Sequence, residues 1–402
     1  MTDSHIQDAE YIEQARLCAE AVVKNEPDVK FCVFPGDFVD TGGATNSEWQ
    51  WEQWFEGSMR PALNKMAFVP TDGNHDDSPS LNYDFHFNTD WGFANAAETK
   101  PQFKGITYSF VYGDVLFLVY SLQDWWRAQG SSDKDLKSTY LSKDVANWFK
   151  EQIAKYPNTK YRVTLSHKNI FSGAGHHTDD ECPLIRDIMI PILKECEIDL
   201  AIQGHDHCYE VMGPVNPDTW TVIPGSVTDT VRVAEEATGR WERSSNKTGL
   251  EGGTFNTNDG SLYFIGATCG RKRYEPHNRA LMEDEYTTDP ELLFDYKHHN
   301  VKNLFDLFQT KFGQPGAPSY SRFNVTSDGI EVVTYKTDAE GNKEVYNTIL
   351  VKRTKPHTLP TGYETVESNI DLRDGAKFIR NGQIFIRKDG RTFNILGQPV
   401  AQ

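Results

Sequence analysis

The chain has 402 residues and carries 41 Lys and Arg against 58 Asp and Glu, a net charge of −17. At roughly 100–200 residues per domain, this length holds two or three domains, or one large domain with appendages, and buries a sizeable core. The acidic balance excludes a general nucleic-acid binder, no apolar run reaches membrane-spanning length, and the polar stretch Met1–Glu10 shows no signal peptide.

In chain order, residues 7–24 read as a helix with Ala15, Leu17, Ala19 and Val22 on its apolar side. A buried strand covers 30–35 and ends at Gly36-Asp37. A helix begins at Asn46 or Ser47, both good N-caps, and carries Trp49, Trp51, Trp54 and Phe55, which read as core or rim. Strands follow at 66–70, 106–111 and 115–120, then a helix at 142–155, a strand at 161–165, a helix at 183–196 and a strand at 198–202. This alternation predicts an α/β sheet with helices on its faces.

Residues 226–260 are polar and Gly-rich and read as a long loop or insertion. A strand at 261–266 and two or three antiparallel strands within 319–352 come next. Pro356, Pro360 and Gly362 mark 353–368 as a linker. The remaining segment, 369–402, has Asn381-Gly382 and Asp389-Gly390 between alternating apolar residues, the signature of a three-stranded meander. The domain division is therefore 1–352, 353–368 and 369–402. Six cysteines, at 18, 32, 182, 196, 208 and 269, form no CxxC and read as small buried hydrophobes.

Five polar clusters stand at or just after strand ends, the edge of an open α/β sheet where ligands bind. They are Asp3-Ser4-His5, Gly36-Asp37-Phe38-Val39-Asp40, Gly73-Asn74-His75-Asp76, Ser166-His167 and Gly204-His205-Asp206-His207. Each alone is a common turn or surface pattern. Together they supply carboxylates, imidazoles and an amide carbonyl, the donor set for two divalent transition metals. Such a pair activates water and clamps an in-line phosphoryl displacement.

The five blocks, in this order, resemble the D-x-H, G-D-x-x-D, G-N-H-D/E, H and G-H-x-H pattern of the calcineurin-like metallophosphoesterases, over residues 1–352. Within that family the stretches 167–173, 204–210 and 263–270 look most like bacterial relatives of purple acid phosphatases. The resemblance implies a four-layer α/β/β/α sandwich, with the meander appended. It implies that Asp3, His5, Asp37 and His207 hold one metal, with Asp37 bridging, and that Asn74, His167 and His205 complete the second. A metal-bridging hydroxide would attack phosphorus, His75 would be the general acid, and Asp76 would orient it and keep it protonated. One of His176 and His177 would contact the phosphate or the leaving group.

The purple enzymes place a metal-binding Tyr three residues after the bridging Asp and lack a His at position 5. This chain has Asp40 and His5 instead, so the resemblance implies a colourless site holding Zn, Mn or Fe, with Asp40 hydrogen-bonded to a ligating imidazole. His86 reads as packing, and Trp125-Trp126 as a possible wall of the cleft.

The family sets its Asp-x-His at the end of a buried first strand, whereas only Met1 and Thr2 precede Asp3. The expectation is an N-terminally incomplete sequence lacking that strand, with Asp3 and His5 hanging from a free terminus. The expected activity is hydrolysis of a small phosphorylated substrate, most simply a phosphomonoester. A phosphodiesterase acting on nucleotides or lipid head groups is the second enzymatic reading, and a metal-binding scaffold without catalysis is the reading from another class. The meander resembles tails on exported proteins of anaerobic Gram-negative bacteria, which suggests an exported protein. No membrane span and no nucleic-acid partner are expected.

Overall fold

The structure, a computed structural model, describes residues 1–77, 82–87, 107–123, 145–176, 181–216, 221–222, 232–235, 240–243, 253–274, 309–360, 377–380, 383–388 and 391–394. Helix α1 (Ala9–Asn25) starts where the sequence places it. The Asp8 carboxylate accepts the N–H groups of Glu10 and Tyr11 at 2.9 and 3.1 Å, and Tyr11, Ala15, Cys18, Ala19 and Val22 line its buried face.

Strand β1 (Phe31–Pro35) pairs in parallel with β2 (Ala67–Thr71). Between them the expected single helix is three pieces: α2 (Glu48–Glu52), a π-helical turn (Gln53–Ser58) and α3 (Arg60–Leu63). Gly57 and Pro61 sit at the breaks, one with weak helix propensity and the other without an N–H to donate. Helices α4 (Asn74–Asp77) and α5 (Tyr83–His86) are single turns.

The largest sheet contains β3 (Tyr108–Tyr112), β4 (Val115–Val119), β5 (Tyr161–Leu165), β6 (Leu200–Gln203), β7 (Tyr209–Asn216), β8 (Thr221–Val222), β12 (Ser261–Gly266) and β13 (Gln309–Gly313). Its order is β13-β7-β12-β6-β5-β4-β3, with β8 beside β7. Strands β4, β5, β6 and β12 run parallel. A second sheet, β11-β16-β15-β14, is built from β11 (Gly253–Asn256), β14 (Ser319–Val325), β15 (Ile330–Thr337) and β16 (Lys343–Lys352).

Alternation along the strands sets the layers. On β4, Val115 and Val119 join the core containing Ile330, Val332, Ile349 and Val351 of the second sheet. Leu116 and Leu118 point the other way, to the cluster with Trp148 and Phe149 of α6 (Ala146–Lys155) and Met189 of α7 (Glu181–Glu195). The second sheet likewise turns Val333 and Tyr335 towards the cluster holding the apolar face of α1. The result is helix, sheet, sheet, helix. No described helix is long and apolar enough to cross a membrane.

Two expectations need correction. Residues 226–260 are not one loop: β9 (Arg232–Glu235) and β10 (Arg240–Arg243) form a hairpin, and β11 extends β16 in parallel with Phe255 fully buried. Four-residue strands in a polar stretch leave too short an alternation to read. Nor is 353–360 a free linker. Arg353 Nη1 donates to Asp199 Oδ1 (3.3 Å) and to the Thr257 carbonyl (2.9 Å), and His357 Nε2 lies 2.9 Å from Asp199 Oδ2. The chain divides into compact units at 1–360 and 361–402. In the second unit β17 (Lys377–Arg380), β18 (Gln383–Lys388) and β19 (Arg391–Asn394) form the expected antiparallel meander.

Asp3 and His5 do not hang from a loose end. The Met1 amino group donates to the Val33 carbonyl (3.3 Å), the N–H of Asp3 to Gly36 (3.2 Å) and that of His5 to Asp37 (3.1 Å), and Ile6 bridges Val39 in parallel. Trp54 Nε1 donates to Ser4 Oγ, which donates to the Phe38 carbonyl. Both Asp3 and His5 are fully buried. A cavity of about 460 Å³, lined by residues of β1 and β14 and touching none of the five polar clusters, lies beside Met1.

Candidate metal centre

The clusters fall together because β1 and β2, and likewise β5 and β6, run parallel and end at one edge. Asp3, His5, Asp37 and His207 bring ligand atoms within 4.8 Å of one another, and so do Asp37, His167 and His205. Asp37 belongs to both sets. Its Oδ2 lies 3.1 Å from His5 Nε2 and 3.2 Å from His167 Nε2. His5 Nε2 is 3.1 Å from His207 Nε2, which is 3.4 Å from Asp3 Oδ1. On the other side His167 Nε2 is 3.1 Å from Asn74 Oδ1 and 3.2 Å from His205 Nδ1. Separations near 3.0–3.4 Å are roughly those between donors around a cation bound at about 2.1 Å.

The backbone is bent to achieve this. Among the described residues seven non-glycine positions have positive φ, and five of them are Asp3, His5, Asp37, His205 and His207. Left-handed backbone costs on the order of 1–3 kcal/mol per residue and persists where its surroundings enforce it. Two glycines make room. A Cβ on Gly36, at φ +74°, would stand 2.6 Å from His167 Nδ1, and one on Gly73 would stand 2.2 Å from Asp37 Oδ1.

The outward nitrogens are also fixed. His167 Nδ1 donates to the Pro35 carbonyl (2.7 Å) and His207 Nδ1 to the Lys272 carbonyl (3.1 Å), while His5 Nδ1 faces Asp40 Oδ1 at 3.2 Å. These partners set tautomers that leave the inward Nε2 atoms as lone-pair donors. Asp40 thus stands where the sequence reading puts it.

The electrostatics suit cations. Burial would raise the Asp37 carboxyl, but His167, His75 and His5 outweigh it and hold it well below the ordinary carboxylate range. Burial pushes Asp3 up; against the pull of His167, with Asp37 alongside, it reaches about 6. Burial would lower His167, yet Asp37 raises it to about 9. His205 and His207 are held well below their ordinary value by burial and then by neighbouring imidazoles, so they are neutral donors. Asp37 Oδ2 is buried between the His5 and His167 imidazoles, at 3.1 and 3.2 Å, a carboxylate oxygen that a cation would satisfy once those rings give up their protons. The donor set fits Zn, Mn or Fe.

His75 and Asp76 depart from their expected partnership. The Asp76 carboxylate accepts the N–H groups of Asp37 (2.9 Å), Phe38 (2.8 Å), Val39 (3.3 Å) and Gly73 (2.8 Å), pinning two ligand loops together. His75 Nδ1 instead donates to the Asp40 carbonyl at 2.6 Å, with Asp40 Oδ1 at 3.6 Å. Burial depresses the His75 imidazole, with Asp37 pulling the other way.

His176 stacks on His205 with ring centroids 3.6 Å apart, and its N–H reaches Asp206 Oδ1 at 3.3 Å. His177, Trp125 and Trp126 lie outside the described residues. His86 stacks on Trp51 at 4.2 Å, as packing requires, and Trp51 and Trp54 are core, whereas Trp49 is exposed. Sequence reasoning missed Tyr274, whose ring stacks on His207 at 4.6 Å, and Lys272. The signal for both was the run Arg271-Lys272-Arg273-Tyr274, three cations in an acidic chain just after a strand that feeds the site.

Fold and site define a metallophosphoesterase with a dimetal donor set. The chain belongs to the calcineurin-like phosphoesterase family, whose model matches residues 1–209. It is similar to purple acid phosphatase 17 of Arabidopsis thaliana, 28% identical over 199 residues, 46% of this chain and 54% of that one. It is also similar to an uncharacterized protein of Mycobacterium tuberculosis, 24% identical over 204 residues, 48% of this chain and 37% of the relative. The chain therefore spans about half, or less, of the curated relatives it matches. Among solved structures, a purple acid phosphatase from yellow lupin seeds superimposes with a TM-score of 0.53 at 14% identity, over 88% of this chain and 52% of that one. GAP50, the anchor in the inner membrane complex of Plasmodium, does so at 0.50 and 16% identity, over 89% of both. These two likenesses are of fold.

Proposed function

We propose that the chain hydrolyses phosphate monoesters with two divalent cations, one held by Asp3, His5, Asp37 and His207 and the other by Asp37, Asn74, His167 and His205. The observation that carries this reading is Asp37 Oδ2, buried and within 3.2 Å of imidazoles from both sets. When bound, such a pair activates water and neutralises charge on the transferring phosphoryl group.

The chain's own residues do the rest. His75 Nδ1–H donates to the Asp40 carbonyl, so the imidazolium form of this partly exposed ring, having taken a second proton from solvent, would carry that proton on Nε2 and give it to the leaving alkoxide. Asp76 holds the loops carrying Asp37 and His75 in register, and His176, stacked on His205, offers its ring to a phosphate oxygen. The names of the purple acid phosphatase relatives support a monoester over a diester substrate. With Asp40 in place of the family's Tyr, iron-loaded protein lacks a tyrosinate band. Export rests on the tail's resemblance and is tested by cell fractionation.

The experiment is elemental analysis of purified protein alongside hydrolysis of an aryl phosphate, for wild type and Asp37→Asn. About two metals per chain, with metal and activity both lost in the variant, is the expected result. Wild-type protein that binds metal but hydrolyses nothing would leave the scaffold reading.

A further inference from the structure

The loop after β12 carries three consecutive cations, and they are not equivalent. Arg271 Nε pairs with Glu10 at 2.5 Å and its guanidinium lies over the Tyr11 ring. Arg273 folds back on the carbonyls of Arg271 (3.1 Å) and Gly270 (3.2 Å), with Gln14 at 3.5 Å. Lys272 has no ion pair among the described residues. Its ammonium sits 5.7 Å from the centre of the Tyr274 ring, on a side chain only partly buried.

The loop touches the metal centre. The Tyr274 ring, beside Lys272, also contacts two site imidazoles, stacked on His207 at 4.6 Å and edge-on to His176 at 5.6 Å. The Lys272 carbonyl holds His207 Nδ1, so the loop's register against the site is fixed by a ligand candidate itself. An unpaired cation at the rim of a site in a chain of net charge −17 is a local reversal of sign.

We propose that Lys272 is a specificity-determining residue that reads the second negative charge of a dianionic phosphate monoester and so disfavours monoanionic diesters. This rests on the phosphatase reading above. A monoester loses its second proton near pH 6 and is largely dianionic at neutral pH, whereas a diester carries one charge. Both ester types offer the same phosphorus to the metal centre. A single ammonium at the rim interacts more strongly with the dianion. Charge-assisted contacts of this kind are worth about tenfold or more in affinity.

The test uses the full chain loaded with manganese or zinc, at pH 7.5, and compares wild type, Lys272→Met and Lys272→Arg. The substrates are 4-nitrophenyl phosphate and bis(4-nitrophenyl) phosphate, and inorganic phosphate is titrated calorimetrically into each protein. The expected result for Lys272→Met is an about tenfold fall in the monoester-over-diester ratio of kcat/KM, carried by monoester KM. Phosphate binding weakens by about the same factor, Lys272→Arg recovers most of both, and metal content stays at the wild-type level.

An unchanged ratio, equal losses on both substrates, or loss of metal from Lys272→Met overturns the proposal. The last outcome would mean that the side chain merely supports the loop holding His207. Wild-type protein that hydrolyses neither substrate defeats the phosphatase reading instead. In that event the phosphate titration still decides the role of Lys272: wild type and Lys272→Met binding alike, or wild type not binding, overturns it.

Discussion

The Asp37 carboxylate stands 3.2 Å from His167 Nε2, both side chains cut off from solvent, and each shifts the other's protonation. His167, raised to about 9, holds a proton at neutral pH when no cation is present. Metal binding there must displace that proton, and Asp3, at about 6, adds a second below that pH. His5, which burial would lower but Asp37 raises, must give up a proton as well, so metal affinity is expected to rise by at least about tenfold per pH unit from 6 upward, more steeply towards the acid end, and to level off above about 9. Competition against a chromophoric chelator from pH 5.5 to 9.5 measures it. An affinity independent of pH, once the chelator's own protons are accounted for, would show that His167 is not displaced.

Gly73 approaches the same carboxylate from the other side. A methyl group there would overlap Asp37 Oδ1 and the Asp37 backbone nitrogen, each at 2.2 Å, and the nitrogen cannot swing away. Gly73→Ala is expected to lower stability by about 1–3 kcal/mol through overpacking, and to reduce metal content by displacing Asp37. Urea unfolding and elemental analysis on the same preparation check both parts. A variant with full metal content would mean that the loop yields without moving Asp37.

Much of this site was legible because its chemistry is local in sequence. Each block, from Asp3-Ser4-His5 to Gly204-His205-Asp206-His207, combines a strand end with its donors, so the five blocks could be picked out locally, and the resemblance they carry implied which residues are the ligand candidates. The placement of Asp40 beside an imidazole likewise came from the resemblance. What was illegible depended on where backbone N–H groups point. Asp76 follows His75 directly, which suggested a partnership, but a tight turn aims its carboxylate at four backbone donors from two loops. The strand at 253–256 escaped notice because four residues cannot show an alternation, and its partner, 343–352, lies about ninety residues away. The burial of Asp3 and His5 follows from hydrogen bonds to β1 and the loop after it, a long-range pairing that no local pattern encodes.

Asp199 shows how the chain beyond β16 is fastened. Fully buried, it receives the Arg353 guanidinium (3.3 Å), Thr257 Oγ1 (2.8 Å) and the N–H of Arg162 (2.9 Å). Removing one partner of a buried ion pair leaves the other charge without compensation, a loss of about 3–5 kcal/mol. Asp199→Ala should therefore cost about that much in urea unfolding, and Asp199→Asn, which keeps an acceptor, clearly less. Equal and small losses would mean that Arg353 finds water or Glu197, 3.2 Å from its Nη2, as a sufficient substitute.

His75 separates the chemical step from metal binding. Its ring is about 29% exposed, and its Nδ1 is taken by the Asp40 carbonyl, so in the imidazolium form Nε2–H faces outward to give its proton to a leaving group. Its backbone N–H, which survives substitution, is what binds Asp37 Oδ1 at 3.0 Å. His75→Ala should thus keep its metals and lose rate in proportion to how much the leaving group needs a proton. An alkyl phosphate, whose alkoxide is strongly basic, should lose roughly 10²–10⁴-fold in kcat, the usual range for a general acid. A 4-nitrophenyl ester, whose phenolate leaves unprotonated, should lose less than about tenfold. The comparison is internal to one variant, so incomplete folding or partial metal loading lowers both rates together and leaves their ratio unchanged. Equal losses on the two substrates would remove His75 from proton transfer and leave it a binding residue.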